Sequence, residues 1–200
     1  MEKKFFEAVK IRRSHYGLTK EKIVSEEKIL EIVKETLTHT PSAFNSQSCR
    51  MVVLFDAQSD KLWDIVKEEL KKIVPEKAFK KTEEKVDGSF KSGYGTILFF
   101  EDMAVVEGLQ ERFPLYKDGF AVWSDRSAGM HQFVIWTALS AEGLGASLQH
   151  YNPVIDNAVK KEWSIPDKWK LLAEMPFGKP VDVLAEKEVM PLEKRMKVYR

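Results

Sequence analysis

Four short polar segments, widely separated along the chain, carry the side chains best suited to chemistry. They are Arg12-Arg13-Ser14; Pro41-Ser42-Ala43-Phe44-Asn45-Ser46-Gln47; Leu148-Gln149-His150-Tyr151-Asn152; and Lys194-Arg195 near the C-terminus. The first and last offer guanidinium and ammonium donors that suit a phosphate, through a planar fork in arginine and a point charge in lysine. The middle two offer amides and backbone groups that suit a heteroaromatic ring. Each segment alone also has a plain reading, as a surface charge pair or as Ser/Asn turn chemistry.

Other chemistries fail on spacing. Gly143-x-Gly145 has Leu148 where a dinucleotide fingerprint needs its third glycine, and it follows a helix pattern rather than a strand. Gly145-Ala146-Ser147-Leu148-Gln149 lacks the closing glycine of a nucleophile elbow. His15, His39, His131 and His150 never stand at H-x-x-x-H spacing and Cys49 has no sulfur partner, so no built-in zinc or iron site is expected. Glu26-Glu27 and Glu68-Glu69 sit beside lysines and read as solvated faces. Tyr16, Phe44, Tyr94, Phe113 and Trp123 are candidates for stacking on a flat ligand, or for ordinary core packing.

The elements that must hold these segments follow from hydrophobic period. Residues 3–10 read as a helix with Phe5, Phe6 and Val9 on one face. Ser25 is a plausible N-cap, with Glu26 and Glu27 in the first turn, for a helix that Pro41 ends; Lys28 spoils the full capping box. Its Ile29, Ile32, Val33, Thr36 and Leu37 give the strongest amphipathic pattern in the chain. Residues 50–56 read as a buried strand, because Met51 to Phe55 are continuously apolar. Ser59 or Asp60 should cap a helix reaching about Val74 with Leu62, Val66, Leu70 and Ile73 inward. Residues 75–93 are charged and read as a solvated helix and loop, or as a mobile cover over a pocket. Residues 96–101 form a second buried strand, and a helix starts near Asp102. A longer apolar helix runs over 124–142, carrying Met130, Val134, Thr137, Leu139 and Ala141 toward a core or a subunit interface. Strands over 146–150 and 169–176 and a short helix over 156–163 complete the pattern, which is α/β or α+β. Residues 195–200 could be a strand, but without a sequential neighbour.

Two hundred residues with 44% hydrophobic and 32% charged content suit one globular domain. A chain of this size buries roughly 70% of its unfolded surface and needs no disulfide or structural metal. One cysteine and no basic-apolar leader point to a reducing cytoplasm. No apolar run approaches the roughly 20 residues a bilayer requires. With 32 Lys+Arg against 31 Asp+Glu, nothing in the overall balance suggests nucleic-acid binding.

Taken in order, R-R-S after an N-terminal helix, P-S-x-F-N-S-Q before the first strand, a glycine-bounded apolar helix, L-Q-H-Y-N and a final P-L-E-K-R resemble the nitroreductase family of FMN enzymes. More narrowly, Ser147-Leu148-Gln149-His150-Tyr151-Asn152 with Gly95-Thr96-Ile97-Leu98-Phe99-Phe100-Glu101-Asp102 is similar to the small branch of fungal nitroreductase-like proteins and the copper-induced bacterial nitroreductase. The resemblance implies an α+β fold with a central, mostly antiparallel sheet flanked by helices. It also implies an intertwined homodimer whose C-terminal segment extends onto the partner, with FMN at the subunit interface. Arg12 and Ser14 would meet the FMN phosphate or ribityl chain, Arg13 its pyrimidine side, and Lys194 and Arg195 the phosphate from the far end of the sequence. Ser42, Asn45 and Gln47 would reach the ring from the other subunit, and Leu148, Gln149 and His150 would pass its N5 edge through backbone groups. Hydride from NADH or NADPH would then pass through N5 to a small aromatic acceptor, a nitroaromatic or quinone, with no catalytic side chain strictly required. A flavin-binding regulatory or lipid-metabolism-linked protein with little turnover is the alternative, followed by an interaction module for another phosphorylated ligand. Larger members carry Pro-x-Glu-Gly at the N5 edge, where this sequence has Gln149-His150, and a lysine near the ring that Lys91 matches only loosely.

Overall fold

Phe99 and its neighbours in β3 (Gly95–Asp102) anchor the core of the computed structural model, which describes residues 5–200. Lys3 and Lys4 of the expected first helix lie outside the described residues. β3 is buried along nearly its whole length because helices cover both of its faces, which is why its sequence is continuously apolar. It pairs antiparallel with β2 (Cys49–Phe55) on one side and β5 (Trp169–Pro180) on the other. β1 (Leu18–Thr19) and β4 (Gly145–Ala146) pair antiparallel with β5, so the sheet has five strands.

Ile97, Phe99, Met175 and Phe177 pack with Ile29 and Val33 of α2 (Glu26–His39) and with Ile135 and Leu139 of α6 (Lys117–Ala141). Leu98, Phe100 and Leu171 pack on the other face with Leu62, Trp63 and Val66 of α3 (Asp56–Lys71) and Val159 of α7 (Asp156–Glu162). Leu171 and Ala173 have the same parity yet enter opposite cores. The register explains this: Phe99 faces Ala173 and Phe100 faces Leu171, so Leu172 is an extra residue that re-aims the strand. At Gly178 a Cβ would meet the Thr19 carbonyl at 2.5 Å, so only glycine lets β1 approach this closely.

The strongest sequence expectation holds: Ser25 caps α2, accepting the Lys28 N–H at 3.2 Å, and Ile29, Ile32, Val33 and Thr36 are buried. Leu37 is drifted off this stripe and is exposed. Residues 76–86 form the charged helix α4 (Glu76–Val86) with only Val86 buried, and the following π-turn Asp87–Lys91 buries Phe90. Asp102 caps α5 (Met103–Arg112).

Several boundaries differ from the expectation. α3 starts at Asp56, straight out of β2, with neither Ser59 nor Asp60 as cap; Ser59 is instead buried, its hydroxyl 2.7 Å from that of Thr96. Ile73 lies past the helix end and is 63% exposed. α6 begins at Lys117 rather than 124, and its Met130 and Val134 face outward. In α1 (Phe5–Ile11) only Ala8 is buried, while Phe5 and Phe6 are exposed. β2 is an edge strand, so only Cys49 and Leu54 are fully covered. β4 is two residues long and β5 runs on to Pro180. Residues 195–200 form no strand in the single chain.

Trp63 links the helix layer to the sheet: its ring is fully buried and its Nε1–H donates to Thr96 Oγ1 at 3.0 Å. Trp63→Phe removes that bond and leaves a partly filled space, and is expected to destabilise the protein by about 2 kcal/mol, read from the midpoint of urea unfolding.

Candidate functional site

Two of the four polar segments come together because both hang on β5. Ser14 bridges Ala146 in parallel, with the His15 N–H donating to the Ala146 carbonyl at 3.0 Å. Gln149 bridges Glu174, donating its N–H at 2.8 Å and accepting at 3.0 Å. Residues 12–14 therefore run beside the chain that leads into residues 148–150. The bridge takes up the Gln149 N–H, whereas the amides of Leu148 and His150 carry no hydrogen bond among the described residues. The Gln149 side chain donates to Ser147 Oγ at 3.0 Å, Leu148 packs against the core, and His150 is exposed.

The electrostatics of the first segment are unbalanced. Arg12 lies over the Trp136 ring, 4.3 Å from its centroid, and Arg13 donates to the Ala185 carbonyl at 3.1 Å. Neither has a carboxylate partner among the described residues. Burial, then the adjacent Arg13 charge, hold the Arg12 guanidinium below its ordinary range. A half-buried cation with a like charge beside it and no anion opposite is an unfilled requirement for negative charge. The Trp136 Nε1 is also buried without a hydrogen-bond partner among the described residues.

Asp182 ties the start of the C-terminal tail to the same place. One of its oxygens lies 2.6 Å from His15 Nδ1, and the other accepts the N–H groups of Tyr16 and Gly17 at 3.0 and 3.3 Å. Burial alone would raise this carboxyl, but His15 and the two amides outweigh it and hold it below its ordinary range. Further along, Lys194 and Arg195 are exposed and make no side-chain ion pair or hydrogen bond among the described residues.

Residues 42–47 form a strained turn of their own. Phe44, Asn45 and Gln47 have φ of 57°, 50° and 48°, in the left-handed region that a bulky phenylalanine rarely enters. The Gln47 N–H donates to Ser42 Oγ at 2.9 Å and Arg50 Nη1 to the Gln47 carbonyl at 2.6 Å. Phe44 thereby projects into an aromatic cluster with Phe113, Phe120 and Trp123, lying nearly parallel to the Trp123 ring at 6.2 Å. No hydrogen bond or ion pair joins residues 42–47 to the Arg12 or Gln149 segments within the described chain. Tyr94 is a core residue whose hydroxyl donates to Glu26 at 2.5 Å, and Tyr16 packs toward Phe90. Lys91 is paired with Asp64 at 2.6 Å. Burial, and then Glu101, push the Cys49 thiol up to about 12, leaving no thiolate nucleophile at neutral pH.

The family model for nitroreductases matches residues 9–179. The chain belongs to the nitroreductase family. It is 46% identical to nitroreductase CinD from Lactococcus lactis, solved in complex with nicotinic acid, over 98% of this chain and 100% of that one, with a TM-score of 0.90. CinD has also been solved with chloramphenicol and with 4-nitrophenol. Nitroreductase FRM2 of Saccharomyces cerevisiae is 32% identical over 185 residues, covering 92% of this chain and 91% of the yeast protein. A nitroreductase-fold protein from Exiguobacterium sibiricum in complex with FMN shares the fold at 16% identity, with a TM-score of 0.70 over 98% of each chain.

Sequence reading missed Trp136, Asp182, Tyr116 and Phe120. Asp182 stands 167 residues from its partner His15, a separation that only the β1–β5 pairing closes. Tyr116 and Phe120 did carry a signal, because with Phe113 and Trp123 they repeat at helix-turn intervals. Asp182→Ala should free the tail, speeding limited proteolysis after Pro180 several-fold at pH 7. The wild-type protection should be lost on acidification below about pH 4, because a lowered carboxyl stabilises the fold only while ionised.

Proposed function

We propose that this protein is an FMN-dependent NAD(P)H oxidoreductase that reduces nitroaromatics or quinones and works as a homodimer. The observation that carries this reading is the Arg12-Arg13 pair, without a carboxylate partner among the described residues, beside the strand leading to residues 148–150. This donor set fits FMN. Arg12 and Ser14 would hold the phosphate or ribityl chain, while Arg13, which uses one of its five N–H donors on Ala185, keeps others for the pyrimidine edge. The free amides of Leu148 and His150 would meet the N5 edge, a narrower assignment than one that includes the Gln149 N–H.

When bound, FMN supplies hydride exchange at N5. The chain's part is to fix the ring and to exclude competing contacts. Arg13 would oppose negative charge gathering at the pyrimidine edge. Phe44, Phe113, Phe120 and Trp123 would offer flat surfaces to an aromatic acceptor, in keeping with the aromatic compounds bound to CinD. The acceptor draws its protons from water, so no acidic side chain is needed.

A second copy of the chain completes the site in this reading. Phe5 and Phe6 of α1 and Met130, Phe133 and Val134 of α6 are exposed apolar side chains of a kind that isologous interfaces cover. Ser42, Asn45 and Gln47 of one copy would then reach the ring held by the other, and Lys194 and Arg195 would add cations at the phosphate. Among the described residues no helix is long and apolar enough to cross a membrane.

Purified protein should be yellow, with a flavin spectrum that NADH or NADPH bleaches and a nitroaromatic or quinone restores. Colourless protein that takes up no added FMN would overturn the reading, and bound FMN without turnover would favour a regulatory flavoprotein. Arg12→Ala should weaken FMN binding by roughly ten- to a hundred-fold in a fluorescence titration, the loss of one charge-assisted contact.

A further inference from the structure

Glu174 lies at the middle of β5, fully buried. Its backbone makes the bridge to Gln149, and its Oε2 accepts the Tyr151 N–H at 2.9 Å. One residue thus supplies three of the hydrogen bonds that hold residues 149–152. Its other oxygen, Oε1, is buried without a hydrogen-bond partner among the described residues, and so are Oδ1 of Asp156 and Oδ1 of Asn152. Asp156 opens α7, four residues past Asn152, and its charge acts on Glu174. Two ionised carboxylates buried with an unpartnered oxygen each and acting on one another would be penalised together, whereas a proton on one of them relieves that penalty.

We propose that Glu174 is a positioning residue, held neutral beside Asp156, and that opening of residues 149–152 is coupled to loss of its proton. The functional consequence rests on the reading above, which sets this loop at the flavin N5 edge. Burial outweighs the amide donors that face Glu174. Burial raises its carboxyl foremost, Asp156 adds to the rise, and the amides of Tyr151 and Asn152 oppose it; the result is a value of about 8. Asp156 is itself raised by burial against the pull of Lys160 and Lys170, and the Tyr151 phenol is raised to about 12 by burial and by Glu174. None of these neighbours supplies a cation in contact with Glu174.

The sign of the coupling follows from linkage. A closed loop that keeps the proton up to about pH 8, and an open one that releases it near the ordinary carboxylate range of roughly 4.3, make opening easier as pH rises between the two. Hydrogen exchange on the full-length protein as isolated tests this. After correction for intrinsic exchange, protection of the Tyr151 amide should fall about ten-fold per pH unit from near pH 5 and level off near 8. Glu174→Gln, which keeps an acceptor for Tyr151 and cannot ionise, should show protection independent of pH. Asp156→Asn, which removes the like charge, should bring the levelling to lower pH by roughly one unit. A flat wild-type profile, or an unchanged slope in Glu174→Gln, overturns the proposal; so does an unmoved profile in Asp156→Asn if the glutamine variant does not fold. Protein that binds no FMN but shows the wild-type slope and its loss in the variants supports the proton-coupled loop and refutes the flavin reading. Flavin that bleaches normally over a loop indifferent to pH does the reverse.

Discussion

The main-chain pairing of β5 is the constraint on which the rest depends. This one strand is paired with β3, carries β1 and β4, and makes the isolated bridge to Gln149. The Arg12 segment enters through β1 and the bridge to Ala146, and the Gln149 segment through β4 and the bridge to Glu174. Two stretches more than a hundred residues apart are thereby fixed relative to each other by backbone hydrogen bonds, which tolerate little displacement. The extra residue at Leu172 matters for the same reason. It lets β5 fill one core at Leu171 and the other from Ala173 onward while the bridge at Glu174 keeps its register.

Charge is distributed unevenly over this frame. Several surface lysines are paired with carboxylates, as Lys20 with Asp60, Lys67 with Asp87 and Lys168 with Glu107. Such exposed pairs contribute little to stability. Arg12 and Arg13 are informative because, among the described residues, Trp136 and a carbonyl rather than a carboxylate stand against them. Stacking on indole orients a guanidinium without neutralising it, and leaves its donors facing outward for an anion. Asp182, which follows β5, is committed to His15 and two amides.

Much of the fold was legible because its signals are local. The Ser25 cap and the Ile29, Ile32, Val33, Thr36 stripe lie within three turns of helix, and β3 announces itself by an unbroken apolar run. What failed were boundaries that tertiary contacts decide. Ser59 looks like a cap but is drawn inside by Thr96, and Asp56 turns the chain from strand to helix at a φ of 46° that no residue type forecasts. Phe5 and Phe6 share a helical face that finds no core in one chain. The candidate site divides the same way: its polar segments are contiguous and could be named, whereas Asp182, Trp136 and Glu174 make their contacts with partners distant in sequence.

The Phe44 turn and the Glu174 loop express one principle in two chemistries. A phenylalanine in the left-handed region persists only where its surroundings over-determine it, here through the Ser42 hydroxyl, the Arg50 guanidinium and a ring cluster. A buried acid with an unpartnered oxygen persists for the same reason, through Tyr151 and the Gln149 bridge. In each case local free energy is given up to hold a short segment in a conformation it would not choose alone. Both segments are ones that the sequence singles out for contact with a planar ring, and a planar ring is a ligand that loses contact over its whole face if one edge of its site drifts. For the ring ligand proposed above, rigidity at the edges would therefore be worth more than stability in the loops themselves.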